Sequence, residues 1–86
     1  MKTRRTITAA ERRRHELAFE SLVKKIGVRL RQRRELIGLS QAAVAKRSGI
    51  SESYVSQLEC GRRNPSVDVV FAVATVLDVE LEDLVR

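Results

Sequence analysis

With 86 residues, 17 Lys and Arg against 11 Asp and Glu, and a net charge of +6, the chain is sized for one small basic domain whose natural partner is a polyanion. One cysteine excludes an internal disulfide, and one cysteine with one histidine cannot supply four zinc ligands, so neither metal nor cofactor is expected. There is no Gly-rich phosphate loop, nucleophile elbow or long apolar run after the basic MKTRRTIT, so no catalytic residue, enzyme activity, signal peptide or membrane span is expected, and the chain reads as cytoplasmic and, if bacterial, nucleoid-associated.

The first element opens at Thr8-Ala9-Ala10-Glu11, a capping-box pattern that predicts a helix from Ala9. Phe19, Leu22, Val23, Ile26, Leu30 and Ile37 then trace one helical face. Two readings stay open. One is a single helix over 9–37, about 43 Å long, in which Gly27 costs only about 1 kcal/mol. The other is a break between Lys24 and Gly27 that leaves a separate helix folded onto the domain. Residues 1–21 form a basic extension in which Arg4, Arg5 and Arg12–Arg14 suit a DNA backbone, while Leu17, Phe19 and Leu22 suit a homodimer seam; dimerisation is the favoured role. His15, set among Arg12, Arg13 and Arg14, reads as a solvated side chain.

Two short amphipathic segments follow, hinged on Ser48-Gly49-Ile50. Ser40 caps the first, which runs from Gln41 to about Arg47, and Gly49 supplies the positive φ of a sharp stop. Ser51 caps the second, which runs to about Cys60 and ends at Gly61. Ala42, Val44, Ala45, Val55 and Leu58 are placed inward, leaving Gln41, Lys46, Glu52, Ser53, Ser56 and Gln57 outward. This predicts a helix-turn-helix whose second helix offers a short polar surface to base edges; an ordinary helical bundle shows the same pattern.

Pro65 and Ser66 mark a stop and restart, with Ser66 as N-cap and Asp68 in the first turn of a helix through about Leu77. Val67, Val70, Phe71, Ala74 and Leu77 are assigned to the core, and Val69, Val73 and Val76 to a face for a second subunit. A strand over 67–73 is rejected because apolar and polar residues do not alternate. A last turn from about Glu80 to Val85 carries Leu81 and Leu84. Charge divides along the chain: from Lys2 to Arg47 there are fourteen basic and four acidic residues, whereas from Asp68 onward one Arg faces five acids.

From about Ile26 to Val85 the chain resembles the XRE-type helix-turn-helix regulators, the group that includes lambda-type phage repressor and Cro domains. The resemblance rests on IGVRLRQRRELIGLSQ, AAVAKRSGIS, SYVSQLECGRRNPS and VATVLDVELEDL, in that order. It implies an all-α, lambda repressor-like compact five-helix domain over 22–86, with an additional N-terminal helix extending or preceding the first. Carried over by position, Gln41 anchors a phosphate and Ser51, Glu52, Ser53, Ser56 and Gln57 reach bases. Tyr54, Arg62, Arg63 and Asn64 hold the sugar-phosphate strands. Glu52 has a plainer role as a first-turn acid at a helix N-terminus. Arg34 and Glu59 match an ion pair that family members bury. Cys60 departs from the Asn or Arg often found at its position and removes one backbone donor.

The resemblance implies a transcriptional regulator, with repression the expected sign, that binds double-stranded DNA as a homodimer at a palindromic operator. The alternative is a protein-interaction module, such as an antitoxin or a bridging adaptor, with a toxin or polymerase as protein partner; Glu52, Cys60 and the apolar Val69–Val76 surface favour it.

Overall fold

The computed structural model describes residues 6–86, and every regular element among them is helical. Arg4 and Arg5, assigned above to a DNA backbone, lie outside the described residues. Helix α1 spans Ala9–Leu36, α2 Gln41–Ser48, α3 Glu52–Glu59, α4 Val67–Leu77 and α5 Leu81–Val85.

Of the two readings of the N-terminal region, the continuous helix is the one adopted: α1 runs through Lys24 to Gly27 without interruption. Its start is fixed locally. Thr8 Oγ1 accepts from the Glu11 N–H at 3.1 Å and Glu11 Oε1 accepts from the Thr8 N–H at 2.9 Å. Twenty-eight residues give a rod of about 42 Å. The molecule accordingly measures 49 × 26 × 22 Å, with a radius of gyration of 15.3 Å against about 12 Å for a sphere-like domain of this length.

Gly27 decides where that rod crosses α3. A Cβ at this position would overlap the Leu58 carbonyl oxygen and stand 2.9 Å from that of Glu59. The two backbones touch, and only glycine leaves room for them. On the adjoining side of α1, Arg33 caps the end of α4, its Nε donating to the Leu77 carbonyl at 2.8 Å and its Nη2 to that of Asp78 at 3.2 Å. Arg29 Nη1 donates to the Asp83 carbonyl in α5 at 3.1 Å.

The core is aliphatic: Ile26 and Leu30 of α1 meet Val44 and Ala45 of α2, Val55 and Leu58 of α3, Val70, Val73, Ala74 and Leu77 of α4, and Leu84 of α5. This corrects the predicted orientation of α4. Val73, assigned to a subunit contact, is 2% exposed and belongs to the core, whereas Val67 and Phe71, assigned to the core, are 68% and 52% exposed. Val69 and Val76 are half-buried and pack against the core edge. On α2, Ala42 is exposed and Ala43 takes the half-buried position. Ser66 stands at the N-cap of α4 without capping the backbone. Its hydroxyl instead serves the Asp68 carboxylate and, with the backbone N–H groups of Asp68 and Val69, holds that acid below its usual value of 3.8. A depressed carboxylate stabilises the fold above its ordinary range, and the contribution disappears as pH falls through the folded value.

Candidate nucleic-acid interface

The turn between α2 and α3 is built by caps. Ser40 Oγ accepts from the Ala43 N–H and Ser51 Oγ from the Tyr54 N–H, both at 3.0 Å. Gly49, at φ 73°, closes α2, and the Ile50 N–H returns to the Ala45 carbonyl at 3.1 Å. Val55 and Leu58 lock α3 onto the core, so the opposite face of this two-turn helix points outward.

That face carries Ser51, Glu52 and Ser53, all exposed, with Tyr54, Ser56 and Gln57 half-buried beside them. Glu52 lies in the first turn, where a carboxylate meets the positive end of the helix. Arg62, Arg63 and Asn64 follow on an exposed loop. Arg63 folds back: its guanidinium lies 4.0 Å over the Tyr54 ring, and its Nη1 donates to Gln57 Oε1 at 3.3 Å. Tyr54, Gln57 and Arg63 thus form one cluster at the rim of the polar face. Cys60 is exposed at the C-cap of α3. Lys46 and Arg47 stand exposed in the last turn of α2.

Beneath the face lies a polar lock. Glu59 is 9% exposed overall, and its Oε2 accepts from Arg34 Nε at 2.6 Å while its Oε1 accepts from Arg34 Nη2 at 3.0 Å. A third donor completes it, the Gln41 Nε2, also 3.0 Å from Oε1. Arg34 Nη1 donates onward to the Leu39 carbonyl at 2.9 Å, in the loop that leads to α2. The bond to Glu59 raises the Arg34 pKa above its ordinary value against the opposing effect of burial, so its charge persists at every working pH. One network therefore ties α1 to the start of α2 and the end of α3, fixing the angle at which α3 is presented. Gln41 is part of this lock, and one of its two amide hydrogens is already engaged there.

The third donor to Glu59 was not legible in the sequence, because an amide at a helix N-terminus reads as a solvent or phosphate contact until the neighbouring helix is placed. Lys24 is a second such case. Its side-chain stem lies against Gly61, so α1 runs beside the loop that bears Arg62 and Arg63. Among the described residues, no group of three or more His, Cys, Asp and Glu side chains could hold a metal, and no helix is long and apolar enough to cross a membrane.

Comparison with known proteins assigns this arrangement to a class. A helix-turn-helix family model matches residues 30–84. The chain is 42% identical over 62 residues to the uncharacterized HTH-type transcriptional regulator y4dJ of Sinorhizobium fredii, covering 72% of this chain and 80% of that protein. It is 44% identical over 55 residues to the uncharacterized HTH-type transcriptional regulator Rv0474 of Mycobacterium tuberculosis, covering 64% of this chain but only 39% of that longer protein. Among solved structures, the restriction-modification controller protein C.AhdI of Aeromonas hydrophila superposes with a TM-score of 0.69 at 45% identity, over 74% of this chain and 96% of that one.

The chain belongs to the XRE-type helix-turn-helix family, with its lambda repressor-like all-α fold. It is a transcriptional regulator with a DNA-binding helix-turn-helix domain, in a family that is not enzymatic.

Proposed function

We propose that the chain is a sequence-specific repressor that binds a palindromic operator as a homodimer, each copy laying α3 in the major groove of a half-site. The observation that carries this reading is the exposed polar face of α3, held at a fixed angle by the buried Arg34–Glu59–Gln41 lock and bordered by Arg62 and Arg63. Ser51, Glu52, Ser53, Ser56 and Gln57 are the base-reading group. Gln57 suits the paired donor and acceptor of adenine, and Glu52 the amino group of cytosine. Gln41, through its second amide hydrogen, and Tyr54, Arg62, Arg63 and Asn64 grip the backbone. Two copies related by a dyad would read half-sites about 34 Å apart, or a multiple of that distance. Repression follows when such an operator overlaps a promoter.

Selection of bound duplexes from a random pool, followed by substitution, tests this. A symmetrical consensus is expected, with affinity falling steeply as salt rises while base preference persists. Gln57→Ala should relax preference at one position per half-site at a cost of about 1–3 kcal/mol, whereas Arg62→Ala should weaken all sequences alike. Arg63→Ala should do both, because Arg63 also holds the Gln57 amide in place. Weak binding without any selected consensus would overturn the reading in favour of an adaptor.

A further inference from the structure

The helical spacing of α1 contains a seam that the domain covers only in part. Arg12, His15, Phe19, Leu22, Ile26, Arg29 and Arg33 recur at alternating intervals of three and four, the repeat that keeps side chains on one stripe of a helix. At its C-terminal end the stripe is engaged: Arg29 and Arg33 bond to α5 and to the end of α4. In the middle, Phe19, Leu22 and Ile26 form one wall of an apolar cleft closed by Pro65 and Val67 on one side and by Leu81 and Val85 on the other. At the N-terminal end nothing in the domain reaches the stripe, and residues 12–20 are exposed on every face of the helix.

Phe19 is 46% exposed at the mouth of this cleft, and two residues of its other walls, Val67 and Val85, are 68% and 40% exposed. A patch of this kind on a small soluble domain marks an interaction site. Its rim is acidic. Glu80 and Glu82 stand exposed on and beside α5, next to Leu81, while the projecting turns of α1 carry Arg12, Arg13 and Arg14.

We propose that the cleft is occupied by a second copy of this chain, whose projecting α1 lies antiparallel across it and sets Arg12 against the partner's acidic α5. This rests on the homodimer reading above and supplies its contact surface. The register supports the pairing. With a dyad at Phe19, a residue seven positions before Phe19 meets one seven positions after it, so Arg12 arrives at the level of Ile26. There Leu81 and Val85 close the cleft and Glu82 flanks them, one position after Leu81 on α5. Each copy provides both the basic projecting helix and the acidic apolar cleft, so a two-fold pair satisfies both surfaces at once and closes. The two Phe19 rings meet at the axis, where an aromatic anchor contributes most.

Sedimentation equilibrium of the full chain over a concentration series, without DNA, tests the pairing with Arg12→Glu, Glu82→Arg, both together, and Phe19→Ala. All three positions are exposed, and circular dichroism verifies that each variant is folded. Each charge reversal alone and Phe19→Ala should weaken dimerisation by about tenfold or more, and the double reversal should restore it. A dimer indifferent to all four variants overturns the inference and leaves the homodimer reading standing on another surface. A chain that stays monomeric in solution and on its selected operator overturns both, and assigns the cleft to a different protein. If Arg12→Glu weakens DNA binding while dimerisation is unchanged, the projecting helix is a backbone contact and the inference fails.

Discussion

The two halves of α1 share one helix but not one kind of stability. From Leu22 to Leu36 the helix is fixed by neighbours: Gly27 lets α3 approach to backbone contact, Arg34 enters the buried lock with Glu59, and Arg29 and Arg33 bind the ends of α5 and α4. From Ala9 to Ser21 there is the Thr8–Glu11 capping box, an Arg13–Glu16 pair at 3.4 Å on the surface, and almost no burial. An exposed pair of that kind adds little. The projecting half holds its shape because it extends a helix already nucleated by the packed half, at the cost of one residue's ordering per added hydrogen bond. Packing sets a helix's place in the fold, whereas capping and propensity set only its continuation.

Four substitutions test that contrast, measured by urea unfolding at low protein concentration unless stated. Glu59→Ala removes the acceptor for Arg34 and Gln41 and leaves a guanidinium with only 13% side-chain exposure unpaired. It should cost about 3–5 kcal/mol, and a loss below about 1 kcal/mol would place the lock in solvent. Gly27→Ala forces a methyl group into the α3 backbone and should cost about 3 kcal/mol; retention of the native midpoint would show that the crossing yields easily. Arg33→Ala frees the carbonyls of Leu77 and Asp78 and should cost about 1.5 kcal/mol. In the projecting half, Thr8→Ala should weaken the first turns by about 1 kcal/mol. This appears as faster amide exchange near the N-terminus of α1 with the global unfolding midpoint unchanged. A shifted midpoint would mean that the two halves unfold as one unit, contrary to the comparison.

The same contrast explains which parts of the fold were legible in advance. Thr8, Ser40, Ser51 and Gly49 carry signals that act within a few residues, and the starts of α1, α2 and α3 fall where those signals place them. The face of α4 was not legible. With Val67, Val69, Val70, Phe71, Val73 and Val76 in eleven residues, the helix is apolar nearly all round and its periodicity selects no side. Packing against α1 and α2 turned Val73 inward and left Val67 and Phe71 exposed. Gly27 showed the same limit. Read alone it was a small helix penalty, and in the fold it is the point where two backbones meet.

What the sequence determined by itself was the all-helical class, the order of the capped helices, the turn between α2 and α3, and the polar composition of the exposed α3 face, because caps, glycine geometry and amphipathic spacing are local properties. Tertiary structure decided that α1 remains whole and projects, that Gln41 joins the Arg34–Glu59 pair, that Arg63 bends over Tyr54 to hold Gln57, and which side of α4 is buried. Apart from the Arg63 contacts, which span six and nine residues across the end of α3, these depend on groups far apart in the chain, and their energies exist only once the helices have met.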